Sequence, residues 1–424
     1  LERILNRRLI MSLFQNLNVT SNTSNQLGKK LEIVGDNINN AGTNGFKGSR
    51  AEFSEMLTTA SIGADGGNQQ GAGAVLDNSM RDLSQGTLAN SDSATDLAID
   101  GNGLFAVDTP FGQAYTRDGS FHFDKEGHLV TSDGHKVLGF NGDVGREANV
   151  VAPLQLAKGD MGAAATSNVS LTMNLDARED IKVFDPQNPR ETSSFERSIT
   201  VLDAKGEQQS MDLFFTKTAN GAWSYNAIAK GSDLEPAVEG NVLLGTGTVT
   251  FDEKGVMQND SGLEATTAFK GGEQQTVNFT LTSKDVPTTQ YGTDTSVSSN
   301  VRDGHEGGSV VGLGFDPGGA MTVRYDNGKS VQLGKVAVAK FTNEQGLRKV
   351  GQNLYVGNQT SGQVSLGQSG SQGRGDIRTN AIEQSNVDIT DNFVDMMKTQ
   401  KSFSANSQAM GAIDELLKNV IALR

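Results

Sequence analysis

The sequence contains no cysteine, which removes disulfides, thiolate metal ligands and cysteine nucleophiles in one step. It also has no run of about 18 apolar residues that would cross a membrane as a helix. Leu1 to Ile10 are basic but lack the apolar core and small-residue cleavage site of a secretory signal. Cationic charge is in deficit: 36 Lys and Arg against 50 Asp and Glu leave a net charge of −14, which argues against nucleic acid or an anionic membrane surface as the main partner. Aromatics make up 6% of the chain, with one tryptophan and five tyrosines, too few to furnish the sugar-stacking clefts of a β-rich glycosidase. Proline is rare at 7, whereas glycine numbers 51, and that balance predicts many short strands joined by glycine turns.

Catalytic and ligand-binding signatures are missing as well. The four histidines, His122, His128, His135 and His305, match no zinc spacing, so no metal site is expected. Asp96, Asp100, Asn102 and Gly103 lack the regular oxygen spacing and closing glutamate of a calcium loop, and read as a tight turn. Gly101-Asn102-Gly103 has Ala106 where a dinucleotide fingerprint needs glycine, and no phosphate loop or nucleophile elbow occurs. The expectation is a non-enzymatic protein without a cofactor.

What the sequence does have is a pair of seams at its two ends. Leu13, Leu17, Thr20, Ser24, Leu27, Leu31, Val34 and Ile38 recur at alternating intervals of four and three, the period of a helix that packs along another helix. Ile389, Phe393, Met396, Gln400, Phe403, Ser407, Met410, Asp414, Leu417 and Ile421 repeat the pattern near the C-terminus, with Ser385-Asn386 as the expected cap. Polar residues dilute both seams, so the pair is marginal alone and is expected to order fully among neighbouring copies. Met11-Ser12 reads as a natural start, so residues 1–10 are expected to be an upstream extension outside the fold.

Between the seams the period shortens to that of strands. Leu97 to Ile99 and Leu104 to Val107 flank Asp100-Gly101-Asn102-Gly103 as an expected hairpin, and further runs follow around Asp118-Gly119, Glu126-Gly127 and Asp133-Gly134. The predicted fold is multidomain and mainly β with α-helical termini that pair as a coiled coil, with antiparallel β domains inserted between them. Its parts are a terminal helical domain (11–38 with 386–424), a flexible connector (39–73 with 361–385), a first β domain (74–148 with 291–360) and an inserted outer β domain (149–290). Gly66, Gly67, Gly71, Gly73, Gly370, Gly373 and Gly375 are the expected hinges, because Ser61 to Gly73 and Ser361 to Gly375 hold almost no apolar residues.

Four stretches carry a family likeness. Asp36-Asn37-Ile38-Asn39-Asn40-Ala41-Gly42-Thr43-Asn44-Gly45-Phe46-Lys47 resembles the N-terminal signature of the bacterial flagellar rod and hook proteins, with an aspartate at position 36 in place of a common asparagine. Asp96 to Phe140 is similar to their shared β segment, Lys340 to Tyr355 to a return strand of the hook, and Ser385 to Met410 to their C-terminal helix. The likeness covers both ends and the first β domain in the family's order, and Asn37, Asn40, Gly45, Phe46 and Lys47 are its most specific residues.

The resemblance implies a hook subunit. Such a protein self-assembles into a curved extracellular tube that acts as a universal joint and transmits motor torque to the filament. It implies partners as well: copies of itself, rod proteins, the hook cap, hook-filament junction proteins and the type III export apparatus, which exports such chains without a cleaved signal. A shorter distal rod protein lacks a large outer domain and is the alternative. A secreted β-rich enzyme or adhesin with a helical oligomerisation stalk is the alternative of another class.

Overall fold

The computed structural model describes residues 2–58, 70–141, 151–156, 159–281 and 287–422. Helix α1 (Glu2–Asn39) opens the chain and helix α2 (Ile389–Ala422) closes it, with strands between them. The segment set aside by sequence, residues 1–10, is helical from Glu2 onward and continuous with α1.

Each helix ends for a local reason. At the C-terminus of α1, Asn40 folds back on the last turn, its Nδ2 donating to the Asp36 carbonyl at 2.8 Å and to Asp36 Oδ1 at 2.9 Å beside the Asn40 amide that already bonds that carbonyl at 3.1 Å. At the start of α2 the cap is Asp388, whose Oδ1 accepts from the amides of Thr390 (2.7 Å) and Asp391 (3.1 Å). Sequence reading placed that cap at Ser385-Asn386. Asn386 is instead committed to holding Gly48, Asp82 and Ser84.

The chain divides into two compact units, one of Leu1–Lys158, Leu313–Val323 and Val331–Arg424, the other of Gly159–Gly312 and Arg324–Ser330. In the first unit, strands β1 (Ser49–Thr58) and β2 (Gln70–Arg81) form an antiparallel hairpin. The Gln26 side chain of α1 accepts from the amide of Leu76 in β2 at 3.2 Å. Beyond it, β3 (Leu104–Thr109) and β4 (Gly112–Thr116) pair as a second hairpin at the heart of a larger sheet.

Strand β3 is apolar on both faces because it separates two cores. Phe105 and Val107 point into one with Leu97, Ile99, Phe121 and Val338, while Leu104 and Ala106 enter the other with Tyr115, Phe341 and Tyr355. The period of two explains why LFAV shows no polar alternation. Edge-to-face pairs close each side, Phe105 on Phe121 at 5.1 Å and Tyr115 on Phe341 at 4.8 Å.

Strand Leu97–Asp100 does not form the expected hairpin with β3. It pairs antiparallel with Asp376–Thr379, because Ile99 and Ile377 enter the same core and the Gly375 amide donates to the Asn102 carbonyl at 2.7 Å.

The second unit is built from two sheets around one core. Phe195–Leu202, Gln208–Ala219, Ala222–Lys230, Asn241–Phe251 and Met257–Asp260 form a five-stranded antiparallel meander. Leu263–Ala268, Gln274–Thr280, Asn168–Asn174 and Ser296–Arg302 form the other sheet. Trp223, Phe215, Tyr225, Phe269 and Phe279 fill the space they enclose.

These pairings move the expected boundaries. Val151–Pro153 pairs with Lys136–Asn141, so the chain after residue 149 still belongs to the first unit. Residues 291–308, expected to belong to the first β domain, contain strand Ser296–Arg302, which pairs along Asn168–Asn174 within the second unit. Its polar, glycine-rich composition hid it, because its side chains are half-exposed.

The helix pair and the ionic knot beneath it

Helices α1 and α2 run antiparallel. Asn37 reaches Asn392 at 3.1 Å, Lys30 pairs with Asp395 at 3.8 Å, and Asn406 donates to the Thr20 carbonyl and Ser24 Oγ, both at 2.7 Å. On α1, Leu13, Leu17, Leu27, Leu31 and Ile38 are half-buried, and Thr20 and Val34 are buried.

On α2 the seam differs from the sequence reading at alternate positions. Met396, Met410 and Leu417 face inward as expected, but between them stand Asn392, Thr399, Asn406 and Ile413, one residue before the predicted Phe393, Gln400, Ser407 and Asp414. Counting apolar residues favours Phe393 over Asn392. In the structure the asparagines are preferred inside because each hydrogen-bonds across to α1, as polar residues at seam positions do when they fix register. The Ile421 side chain lies outside the described residues.

Displaced from the seam, Ile389, Phe393, Val394, Met397, Phe403 and Leu416 form exposed apolar positions on α2, with Phe393 47% and Met397 55% accessible. Ile389, Phe393, Val394 and Met397 are three and four residues apart and so neighbours on the helix surface, and bare apolar surface of this kind marks a place where another surface packs.

At the base of the helix pair the signature residues tie α1, both hairpins and α2 together. Asn37 exchanges two hydrogen bonds of 2.8 Å with the backbone of Ser49, imitating one rung of a β ladder. Asn44 donates to Ser120 Oγ at 3.0 Å, and its carbonyl accepts from Asn353 at 2.9 Å. Gly45 has φ +66°, and a Cβ there would lie 2.6 Å from the Arg117 carbonyl carbon, so both conformation and space demand glycine. Phe46 is buried, with Lys349 Nζ 4.5 Å from its ring centroid.

Lys47 completes a buried ionic triad. Its Nζ donates to Glu383 Oε1 at 2.7 Å and to the Ser84 carbonyl at 2.6 Å. Glu383 Oε1 also accepts from the Gly86 amide at 2.8 Å, and Oε2 accepts from Arg117 Nε. Arg117 spreads its remaining donors over the carbonyls of Gly103, Ile99 and Gly101. Two cations thus share one carboxylate in a nearly dry site, and backbone carbonyls take up the excess positive charge. Burial pushes the Lys47 pKa below the usual lysine value, against the hydrogen bond and charge of Glu383, which raise it.

Sequence reading found Lys47 but missed Glu383 and Arg117. Glu383 lies in the short strand Ala381–Glu383, and nothing in its spacing links it to residues more than 260 positions away. An isolated Glu amid polar residues reads as surface.

The glycine hinges fall in three places. Gly66 and Gly67 lie outside the described residues. Gly71 and Gly73 lie within strand β2, where Gly71 pairs with Leu57. Gly370, Gly373 and Gly375 belong to a segment folded onto the first unit: the Gly373 carbonyl accepts from Lys340 Nζ at 3.1 Å, and a Cβ at Gly375 would come within 2.5 Å of the Asp100 carbonyl oxygen. The segment needs glycine for close approach and tight turns, which composition alone cannot separate from flexibility.

Asp124, Glu126 and His128 gather in one turn, with ligand-type atoms within 4.8 Å of one another. Two of the three serve the turn itself: Asp124 Oδ1 accepts from the His128 amide at 2.7 Å, and Oδ2 meets His128 Nδ1 at 3.2 Å.

A helix pair that keeps apolar side chains exposed on its second helix and is locked at its base onto the strands of its own unit defines a structural protein. The flagellar basal body protein FlaE D2 domain family matches residues 174–305, the flagellar hook protein FlgE/F/G D1 domain family residues 98–174, and the flagellar basal body rod FlgEFG protein C-terminal family residues 378–423. Relatives include the flagellar hook protein FlgE of Borreliella burgdorferi, 30% identical over 93% of this chain and 96% of its own length. Those of Brucella suis (30% identical; 98% of this chain, 100% of its own) and Salmonella typhimurium (28%; 94% and 98%) are also similar. The crystal structure of Helicobacter pylori flagellar hook protein FlgE2 shares the fold at a TM-score of 0.53 and 14% identity, covering 70% of this chain and 100% of that one. The chain belongs to the flagellar hook protein family.

Proposed function

We propose that this chain is the structural subunit of a bacterial flagellar hook, polymerising into a curved, flexible tube that works as a universal joint and passes motor torque to the filament. The observation that carries the reading is the bare face of α2. Phe393, Val394, Met397 and Leu416 sit on a helix whose opposite face is already paired with α1, so a further partner must cover them, and copies of the same chain supply it.

In this reading the helix pair forms the inner wall of the tube. The knot at Lys47, Glu383 and Arg117 transmits load from that wall into the first β unit without a loose joint. The polymer is extracellular, assembled from chains exported through the type III apparatus, and meets rod, cap and hook-filament junction proteins at its ends.

Electron microscopy of the concentrated protein tests the proposal. Short curved tubes support it, whereas straight tubes point to a rod protein and discrete oligomers reject both. Phe393→Asp should abolish the tubes and leave the β circular dichroism intact.

A further inference from the structure

The chain leaves an oxidant few targets. It has no cysteine, and its one tryptophan, Trp223, is buried in the core of the second unit, so its 11 methionine thioethers are the most readily oxidised groups it carries. Exposure sorts them further. Met173, Met211 and Met321 are buried in sheet cores, and Met396 and Met410 are half-buried in the seam between the helices. Among the described residues only Met11 on α1 and Met397 on α2 are open, at 76% and 55% accessibility.

Of these two, Met397 lies on the face of α2 that assembly would cover. Phe393 and Val394, four and three residues before it, are its neighbours on the helix surface and are exposed themselves. Met396, next to it in sequence, turns the other way into the seam. A small oxidant therefore reaches the Met397 sulfur in the free subunit. In a tube, the copy that covers Phe393 and Val394 shuts it off.

We propose that Met397 is an oxidation site that gates assembly: a hydroperoxide converts it to the sulfoxide in the free subunit, and the sulfoxide keeps this face of α2 from packing. The sulfur lone pair attacks the outer oxygen of the hydroperoxide. An S–O bond forms as the O–O bond breaks, the hydroxyl proton passes to the departing oxygen, and the oxidant leaves as an alcohol, or as water when it is hydrogen peroxide. The sulfur loses two electrons and the peroxide gains them. The side chain hardly changes in size, but its new oxygen is a strong hydrogen-bond acceptor. Phe393 and Val394 offer that oxygen no donor, so packing strips it of water without replacement. The inference rests on the hook-subunit reading and adds regulation to the same face. Modification and contact exclude each other, so free subunits are sensitive and finished tubes resistant.

The test treats full-length free subunits with hydrogen peroxide until mass spectrometry finds Met397 converted. Treated wild type should need about tenfold more protein to polymerise, the scale expected for one polar group buried without a partner. Met397→Leu keeps the face apolar but has no sulfur, and should polymerise like untreated wild type before and after peroxide. Met11→Leu should stay sensitive. Met397→Gln, polar and of similar size, should raise the critical concentration with no peroxide present, and unchanged helical circular dichroism separates that effect from misfolding. A methionine sulfoxide reductase supplied with a dithiol should restore assembly of the treated wild type. Peroxide added to finished tubes should leave Met397 unoxidised. If wild-type tubes form, and subunits with Met397 fully oxidised polymerise as readily as untreated ones or Met397→Leu is as sensitive as wild type, the oxidation gate is wrong while the hook reading stands. If the untreated wild-type chain forms no tubes at all, the hook reading fails and takes the gate with it.

Discussion

Replacing Glu383 by Gln isolates the energetic role of the knot. The side chain is 1% exposed and accepts charge-assisted hydrogen bonds from Lys47 and Arg117, themselves 8% and 5% exposed, as well as a bond from the Gly86 amide. Glutamine fits the same volume but brings no charge, and its amide NH2 must face one of two donors. Two cations are then left buried without a counter-ion, a loss of about 3–5 kcal/mol for a broken buried pair. An ordinary neutral hydrogen bond would account for only about 0.5–1.5 kcal/mol. At about 2–4 °C per kcal/mol for a unit of this size, the first unit should melt roughly 6–20 °C lower. The sole tryptophan, Trp223, is buried in the second unit, so its fluorescence should report an unchanged transition while circular dichroism or calorimetry reports the shifted one. Losing Glu383 removes the two largest influences that raise the Lys47 pKa and leaves only the weaker pull of Asp82, so Lys47→Met in the Glu383→Gln background should recover part of the loss. A Glu383→Gln protein that melts within about 2 °C of wild type would refute the claim that this triad locks the unit together.

Three further outcomes follow from the geometry. Leu417→Asp, at a buried seam position, should loosen the helix pair already in the monomer by about 2–5 kcal/mol, whereas Phe393→Asp should leave monomer helicity unchanged and block only polymerisation, both readable by circular dichroism and sedimentation. Gly45→Ala should destabilise the first unit by more than the roughly 1 kcal/mol expected of Gly134→Ala in the same unit, because Gly134 has positive φ with open space around it whereas Gly45 combines positive φ with backbone 2.6 Å from the added carbon, and thermal unfolding compares the two. In the second unit, the Arg178 guanidinium beside Asp176 holds that carboxyl down at about 2, below its ordinary 3.8. A depressed carboxylate stabilises the fold above its unfolded value and loses that contribution as pH falls through the folded one, so Asp176→Asn should flatten the acid limb of the Trp223 fluorescence titration between about pH 4 and 2.

Much of this architecture could be read from residue order. The heptad-like spacing in α1 and α2 and the glycine turns at Glu126-Gly127 and Asp133-Gly134 have local causes, and local causes are visible in one sequence. The errors share a different origin. Asn392 and Asn406 take seam positions because their partners on α1 satisfy them, and a hydrophobicity count cannot see a partner more than 350 residues away. Strand Ser296–Arg302 is polar and half-exposed, so nothing in its composition assigns it to the second unit rather than the first. Gly375 read as a hinge and serves as a point of close approach. Glu383, the centre of the knot, carries no sequence signal, since its importance comes from two cations that the fold brings to it.

The central claim is that the bare face of α2 is covered by neighbouring copies in a tube. A helical reconstruction of the native polymer measures this directly. The account predicts that Phe393, Val394, Met397 and Leu416 lose their exposure against helices of adjacent subunits, while Asn392, Thr399 and Asn406 keep facing α1. Tubes in which those four side chains remain open to solvent, or in which α1 and α2 of one chain are separated, would contradict it.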